Sequence, residues 1–335
     1  MKNNMIEEMK TLVIGQDSMI EAVIPYVKTF QAGLTMPGRP IGCFFLAGPT
    51  GTGKTHSVGK LAELIHGSEQ NILRIDCGEF QLEHEVAKLI GAPPGYLGHR
   101  ETAPMISQSK LNAAASERSP ISILLFDEIE KAADSMKQIL LGVLDRAQLK
   151  LGDNTVVNFE RTLIFMTSNV GAENIREILT KRTIGFGSGP NKAKGTKKAI
   201  NEAMKEHFSP EFINRIDEII PFNSLTQDNI LKIVDIELSK YINFFGSSAP
   251  RFELSVSDAA KKFIAKSGFS EEFGARSLKR FLQKEVYQKV TDIVVDADAD
   301  AFGTIEVSKN RGGLAFNFVQ KETNKPVVKK KGAAK

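Results

Sequence analysis

The chain predicts an α/β fold: a parallel five-stranded sheet clad by helices, followed by a small, mainly helical α+β domain. Three observations predict it. Four short apolar runs, Ile41–Ala47, Ile121–Phe126, Thr162–Met166 and Glu218–Phe222, and a weaker fifth, Leu73–Asp76, are separated by stretches of helical periodicity. The strongest runs are apolar throughout rather than alternating, the pattern of strands buried on both faces. After Pro221 the texture shifts to helical periodicity broken by short alternating segments.

Taken in order, residues 18–32 carry Ile20, Val23, Ile24 and Val27 at helical spacing and stop at Gly33. Pro37, Gly38 and Pro40 break the chain before Ile41–Ala47, which is too short for a helix and reads as a buried strand. Residues 134–146, with Met136, Ile139, Leu140 and Val143, predict a helix between two later strands. Beyond the sheet, helices are expected over 226–243, 257–267 and 277–295, with short strands at Phe252–Val256, Thr304–Val307 and Leu314–Phe318. The expected divisions are a large domain over 1–223, a small domain over 224–320 and a basic, disordered tail over 321–335.

Hydrophobic and charged fractions of 41% and 25% are ordinary for a globular chain, and no apolar run approaches the length that spans a bilayer. No membrane partner is expected. The start, MKNNMIEEMK, has neither signal nor transit character. Cys43 and Cys77 match no metal spacing and read as reduced thiols, so the expected compartment is the cytoplasm. The net charge of +4 is uneven: the tail holds six lysines and one glutamate, leaving the other 320 residues at −1. A second basic stretch, 181–198, reads as a mobile segment like the tail. With a neutral body, nucleic acid is not an expected partner.

Gly48, Pro49, Thr50, Gly51, Thr52, Gly53, Lys54 and Thr55 fit G-x-x-x-x-G-K-[ST] directly after a predicted strand. Glycines let successive N–H groups converge on phosphates, and the following helix adds its dipole. Lys54 would reach the β- and γ-phosphates of ATP, and the Thr55 hydroxyl would ligate Mg²⁺. The run Ile123–Phe126 ends in Asp127 and Glu128, two acids at the sheet edge where ligands bind. Asp127 would hold Mg²⁺ through water, and Glu128 would orient and polarise an attacking water.

These motifs, with Val13-Ile-Gly-Gln-Asp17, Leu89-Ile-Gly-Ala-Pro-Pro-Gly-Tyr96, Leu125-Phe-Asp-Glu-Ile-Glu-Lys-Ala132, Met166-Thr-Ser-Asn169, Phe208-Ser-Pro-Glu-Phe-Ile-Asn-Arg215 and Gly274-Ala-Arg-Ser-Leu-Lys-Arg280, stand in the order of a known family. The chain resembles the Clp family of AAA+ P-loop ATPases, specifically the C-terminal ATPase module of ClpA-, ClpB- and ClpC-type unfoldases. The reading expects a single-ring form, without an N-terminal substrate domain, a first ATPase module or a coiled-coil middle domain.

The resemblance implies roles. Ile14 and its neighbours would line the adenine pocket, and Asn169 would be the first sensor, feeling the γ-phosphate through the attacking water. Arg215 looks like the arginine finger that completes a neighbouring subunit's site, and Arg276 like the second sensor. The family usually has proline where this chain has Ser277, which is expected to loosen the start of that helix without moving Arg276. In the family the loop over Gly91–Gly98 faces a central channel, where Tyr96, with Leu97 beside it, would grip unfolded polypeptide; an aromatic side chain suits contact without sequence demand. His99-Arg100-Glu101 replaces the family's usual acids after that loop. Ile184-Gly185-Phe186 matches a tripeptide with which protease-coupled relatives plug a ClpP-like peptidase; an apolar anchor for a long loop is the equal alternative.

The implied function is ATP hydrolysis in a homo-oligomeric ring, expected to be a hexamer, that unfolds or threads unfolded or tagged proteins, with no peptidase site of its own. The alternatives are a nucleic-acid-associated AAA+ ATPase contacting its partner through the lysine tail, and a regulatory subunit of other Clp rings.

Overall fold

The predicted apolar runs do become one sheet. The computed structural model describes residues 5–92, 103–171, 191–270, 274–298 and 301–321, with the backbone alone over 191–198. The chain divides into two compact units, Met1–Leu225 and Thr226–Lys335. In chain order the first carries β1 (Gly42–Ala47), β2 (Leu73–Asp76), β3 (Ser122–Asp127), a short hairpin of β4 (Gln148–Lys150) and β5 (Val156–Asn158), then β6 (Thr162–Ser168) and β7 (Glu218–Pro221). Its helices are α1 (Met5–Leu12), α2 (Asp17–Gln31), α3 (Lys54–His66), α4 (Val86–Ile90), α5 (Gln108–Ala114), α6 (Asp134–Arg146), α7 (Asn191–His207) and α8 (Pro210–Ile213).

The five-stranded sheet has the order β2-β3-β6-β1-β7, parallel throughout. Every residue of β1, β3 and β6 is buried, which is why their runs lack polar alternation. The pleat divides each strand between two cores. Cys43, Phe45, Leu124, Phe126 and Met166 face one core with Leu140 and Val143 of α6 and Phe212 of α8. Phe44, Leu46, Ile123, Leu125 and Phe165 face the other with Ile20, Val23 and Ile24 of α2 and Val58 and Leu61 of α3. Full burial of one such side chain contributes about 1.5–3 kcal/mol, so the two cores fix the strand order.

Three elements depart from the sequence reading. Helix α1 buries Met9 and packs on α2 and α3, although its sequence looks merely polar. The β4–β5 hairpin has three-residue strands, below the length at which alternation is legible. The helix Asn191–His207 takes in the end of the basic stretch 181–198 that was read as mobile; lysine and alanine are good helix formers, and composition had outweighed propensity.

In the second unit, α9 (Gln227–Ser248) starts at Thr226, whose hydroxyl accepts the Asn229 N–H at 3.2 Å. Then come β8 (Phe252–Val256), α10 (Asp258–Gly268), α11 (Ala275–Leu282), a π turn at Gln283–Tyr287, α12 (Gln288–Asp296), β9 (Gly303–Asn310) and β10 (Gly313–Gln320). The helix expected over 277–295 thus contains a π turn, where Tyr287 stacks on Tyr241 with ring centroids 3.7 Å apart. The small sheet runs β10-β9-β8, with β8 parallel to β9 and β10 antiparallel to it. Lys321, placed in the basic tail by the sequence, is held by Glu253 at 2.7 Å. Among the described residues no helix is long and apolar enough to cross a membrane.

Candidate active site

The carboxyl ends of β1, β3 and β6 meet at one edge of the sheet, and the polar side chains gather there. β1 delivers the chain to Gly48, where a Cβ would stand 2.4 Å from the carbonyl oxygen of Phe222, so only glycine lets the loop pass the end of β7. At Gly53, φ is +98°, a left-handed turn that sets the start of α3. The Thr52 hydroxyl closes the loop on Pro49 O at 2.8 Å. The first turn of α3 offers N–H groups without intrahelical partners, the physical basis of anion binding.

Lys54 is buried, and its Nζ donates to Gly48 O at 2.6 Å, Pro49 O at 3.0 Å and Asn169 Oδ1 at 3.0 Å. Thr50 Oγ1 donates to the same Asn169 oxygen at 3.3 Å. The first-sensor candidate and the loop lysine are therefore brought together in one chain. Thr55 Oγ1 lies 3.2 and 3.4 Å from the two oxygens of Asp127. A hydroxyl and a carboxylate that converge in this way form an oxygen donor set suited to a hard cation such as Mg²⁺.

Asp127 is held on two further sides. Thr167 Oγ1 donates to Oδ1, and Arg74 of β2 contacts Oδ2 at 2.5 Å. Glu128 adopts φ +56°, unusual for a residue with a Cβ, and its N–H donates to Thr167 Oγ1 at 3.1 Å. Its side chain pairs with Lys131 at 2.5 Å, and that hydrogen bond raises the Lys131 pKa. The thiol of Cys77 is pushed up mainly by burial, and further by Asp76, Asp127, Glu130 and Glu128, which marks the concentration of negative charge at this edge.

Ile14 is half-buried, two residues before Gln16. Gln16 Nε2 donates to Thr52 O and Asn223 O, each at 3.1 Å, and ties the phosphate loop to the segment after β7. Arg215 makes its ion pairs elsewhere, with Asp145 at 2.9 Å, an ionic contact without the alignment of a directed hydrogen bond, and with Glu211 at 4.0 Å. Arg276 is exposed in the first turn of α11 in the second unit. At Ser277, where a looser helix start was expected, Oγ donates to Gly274 O at 2.8 Å and accepts the Ser270 N–H at 3.0 Å. Tyr96, Leu97, Ile184, Gly185 and Phe186 lie outside the described residues.

Sequence reasoning missed Gln16, Arg74, Glu130, Lys131 and Thr167. Gln16 carried one signal, since glutamine is a poor N-cap and stands in that position before α2 without capping it. Arg74 and Thr167 carried none, because their partners depend on β2, β3 and β6 being neighbours.

The description "AAA domain (Cdc48 subfamily)" matches residues 39–219, and "C-terminal, D2-small domain, of ClpB protein" matches 225–307. The chaperone protein ClpB of Bacteroides thetaiotaomicron is 39% identical over 92% of this chain and 35% of its own length. ClpC, an ATP-dependent Clp protease ATP-binding subunit of Staphylococcus epidermidis, is 37% identical over 94% of this chain and 37% of its own. A probable chaperone protein ClpB 1 of Chlorobaculum tepidum is 37% identical over 92% of this chain and 68% of its own length. The chain spans about a third of the length of most of these relatives. Among solved structures, a closed-state electron cryomicroscopy reconstruction of Hsp104 with ATPγS and FITC casein superposes with a TM-score of 0.79 at 30% identity, over 95% of this chain and 51% of that one.

Proposed function

Because this chain belongs to the AAA family, Cdc48 subfamily, with the small C-terminal domain of ClpB, we propose that it hydrolyses ATP in a ring of its own copies and uses the cycle to unfold or thread polypeptide. The observation that carries the ATPase reading is the convergence of Lys54, Thr55, Asp127 and Asn169 on one sheet edge, with Glu128 next to Asp127. On this reading the N–H groups of the loop and α3 receive the phosphates, and Lys54 exchanges its carbonyl partners for phosphate oxygens. Thr55 and Asp127 would hold Mg²⁺, which neutralises phosphate charge when bound. Glu128 aligns a water for in-line attack on the γ-phosphorus and takes its proton, while the bond to the bridging oxygen breaks and ADP leaves. Asn169 orients the water and the γ-phosphate. Arg215 is assigned to a neighbouring copy's phosphates, and Arg276 to the nucleotide of its own chain.

Threading rests on Tyr96 and Leu97 as the gripping residues, supported by the Clp-type motif order and by the casein-bound neighbour among solved structures. Six copies is the proposed ring size, and the cytoplasm the proposed compartment. A ClpP-like peptidase is the proposed partner at Ile184-Gly185-Phe186, supported by likeness to a protease ATP-binding subunit. Loss of peptidase pull-down on Phe186→Ala would support that docking, and unchanged pull-down would reject it.

The test of the central reading is Glu128→Gln. This variant should bind ATP normally while phosphate release falls by about 10²-fold or more; full turnover would reject the assignment. Tyr96→Ala should keep ATP turnover and lose unfolding of a tagged fluorescent protein, whereas retained unfolding would remove the threading step.

A further inference from the structure

The turn after Glu128 carries a third carboxylate, which neither phosphate binding nor water activation uses. Glu130 lies in the 3-10 turn Ile129–Lys131, closed by Lys131 N–H to Glu128 O at 3.0 Å and Ala132 N–H to Ile129 O at 3.2 Å. The left-handed backbone at Glu128 starts this reversal and folds the chain back toward β6. There Glu130 Oε1 accepts the backbone N–H of Asn169 at 3.0 Å. Its other oxygen, Oε2, is buried and takes no hydrogen bond among the described residues.

This contact falls where the sheet stops supporting the chain. The ladder between β3 and β6 ends at Phe126 and Met166, and Asn169 follows the last residue of β6. Beyond a strand end, a backbone amide keeps its direction only if something else holds it. Glu130 holds it from one side, and Lys54 and Thr50 hold the Asn169 side-chain oxygen from the other. Burying a carboxylate oxygen without a donor costs free energy, so local stability does not account for this residue. Its hold on Asn169 does.

We propose that Glu130 is a positioning residue that fixes Asn169 by its reach and not by its charge, and so sets the sensor amide against the phosphate loop. The proposal rests on the ATPase reading above, and its test has one readout that does not. Glu130→Gln keeps an oxygen at the same reach; Glu130→Asp keeps the charge but is one methylene shorter. Hydrogen exchange at the Asn169 amide should stay protected in the Gln variant and become about tenfold faster in the Asp variant. With ATP, Glu130→Asp should lower kcat by about tenfold to a hundredfold while KM stays within about threefold, and Glu130→Gln should rescue kcat. Wild-type exchange and kcat in Glu130→Asp, or loss of both in Glu130→Gln, would overturn the proposal. If the unaltered chain shows no ATP turnover, the ATPase reading falls, and the exchange pattern alone still decides whether Glu130 clamps Asn169.

Discussion

Asp217 shows how a single side chain near the site answers to burial. It follows Ile216 at the entry to β7, and its Oδ2 accepts the Cys43 N–H at 2.8 Å. Burial raises its pKa; the Cys43 hydrogen bond and the Arg39 charge work against that rise, and Glu218 adds to it. A carboxyl whose pKa is higher folded than unfolded binds more protons in the native state, so its contribution to stability falls as pH rises through that interval. Asp217→Asn retains an oxygen for the Cys43 N–H and removes the charge. Its Tm should therefore exceed that of the unaltered chain at pH 7, with the gain shrinking as pH falls from the raised folded pKa toward the ordinary carboxylate range and gone below that range. Thermal scans from acid to neutral pH check this, and a gain that grows toward acid pH would reverse the sign. At this scale the sequence made Lys54, Thr55, Asp127 and Glu128 legible, because each stands at a fixed offset from a strand end. Arg74 and Thr167 were not, since their contacts to Asp127 arise from strands separated by long stretches of chain.

The β4–β5 hairpin, invisible to periodicity, packs against Ile90, Gly91 and Ala92, a few residues before Tyr96. Gly152, in its connection, donates its N–H to Ile90 O at 2.9 Å, at the end of α4. A Cβ on Gly152 would stand 2.3 Å from Gly91 O and 3.0 Å from the Ala92 carbonyl carbon. The returning chain is fastened to the same helix, by Met105 N–H to Lys88 O at 3.0 Å and Ile106 N–H to Leu89 O at 3.2 Å. Residues 159–161 lead from the hairpin into β6, which ends one residue before Asn169, so one run of chain joins the contact at Gly91 to Asn169. Gly152→Ala should displace residues 91–92, destabilise the chain by about 1–3 kcal/mol in urea, and impair unfolding of a tagged protein more than ATP turnover. Gly142→Ala is the control, since its Cβ would meet Gln148 O at an ordinary 3.5 Å. Equal effects from both would show that the contact at Gly91 has no special role. The large elements were readable because their buried faces span many residues; a three-residue strand and the amphipathic turn around Met9 offer too few positions for a period to emerge.

At the scale of the proposed ring, the decisive question is whether Arg215 serves the phosphates of a neighbouring copy or of its own chain. In its own chain the guanidinium is paired with Asp145 and Glu211, and its side chain is about 30% exposed. Lys54 and Asn169, by contrast, already touch each other. In the proposed ring, whose contacts would be heterologous, each site would be built from the phosphate loop of one copy and the arginine of the next. That arrangement makes complementation between two inactive variants possible. Lys54→Ala should abolish productive ATP binding, and Arg215→Ala should lower kcat by about 10³-fold or more. When the two are mixed in equal amounts and allowed to exchange subunits, an Arg215→Ala copy keeps a sound phosphate loop, and an adjacent Lys54→Ala copy supplies a sound arginine. Random assembly then completes roughly a quarter of the sites, and turnover should return in proportion. An arginine acting within its own chain would leave every mixed site defective, so a mixture as inactive as its components would refute the trans assignment and the ring mechanism that depends on it.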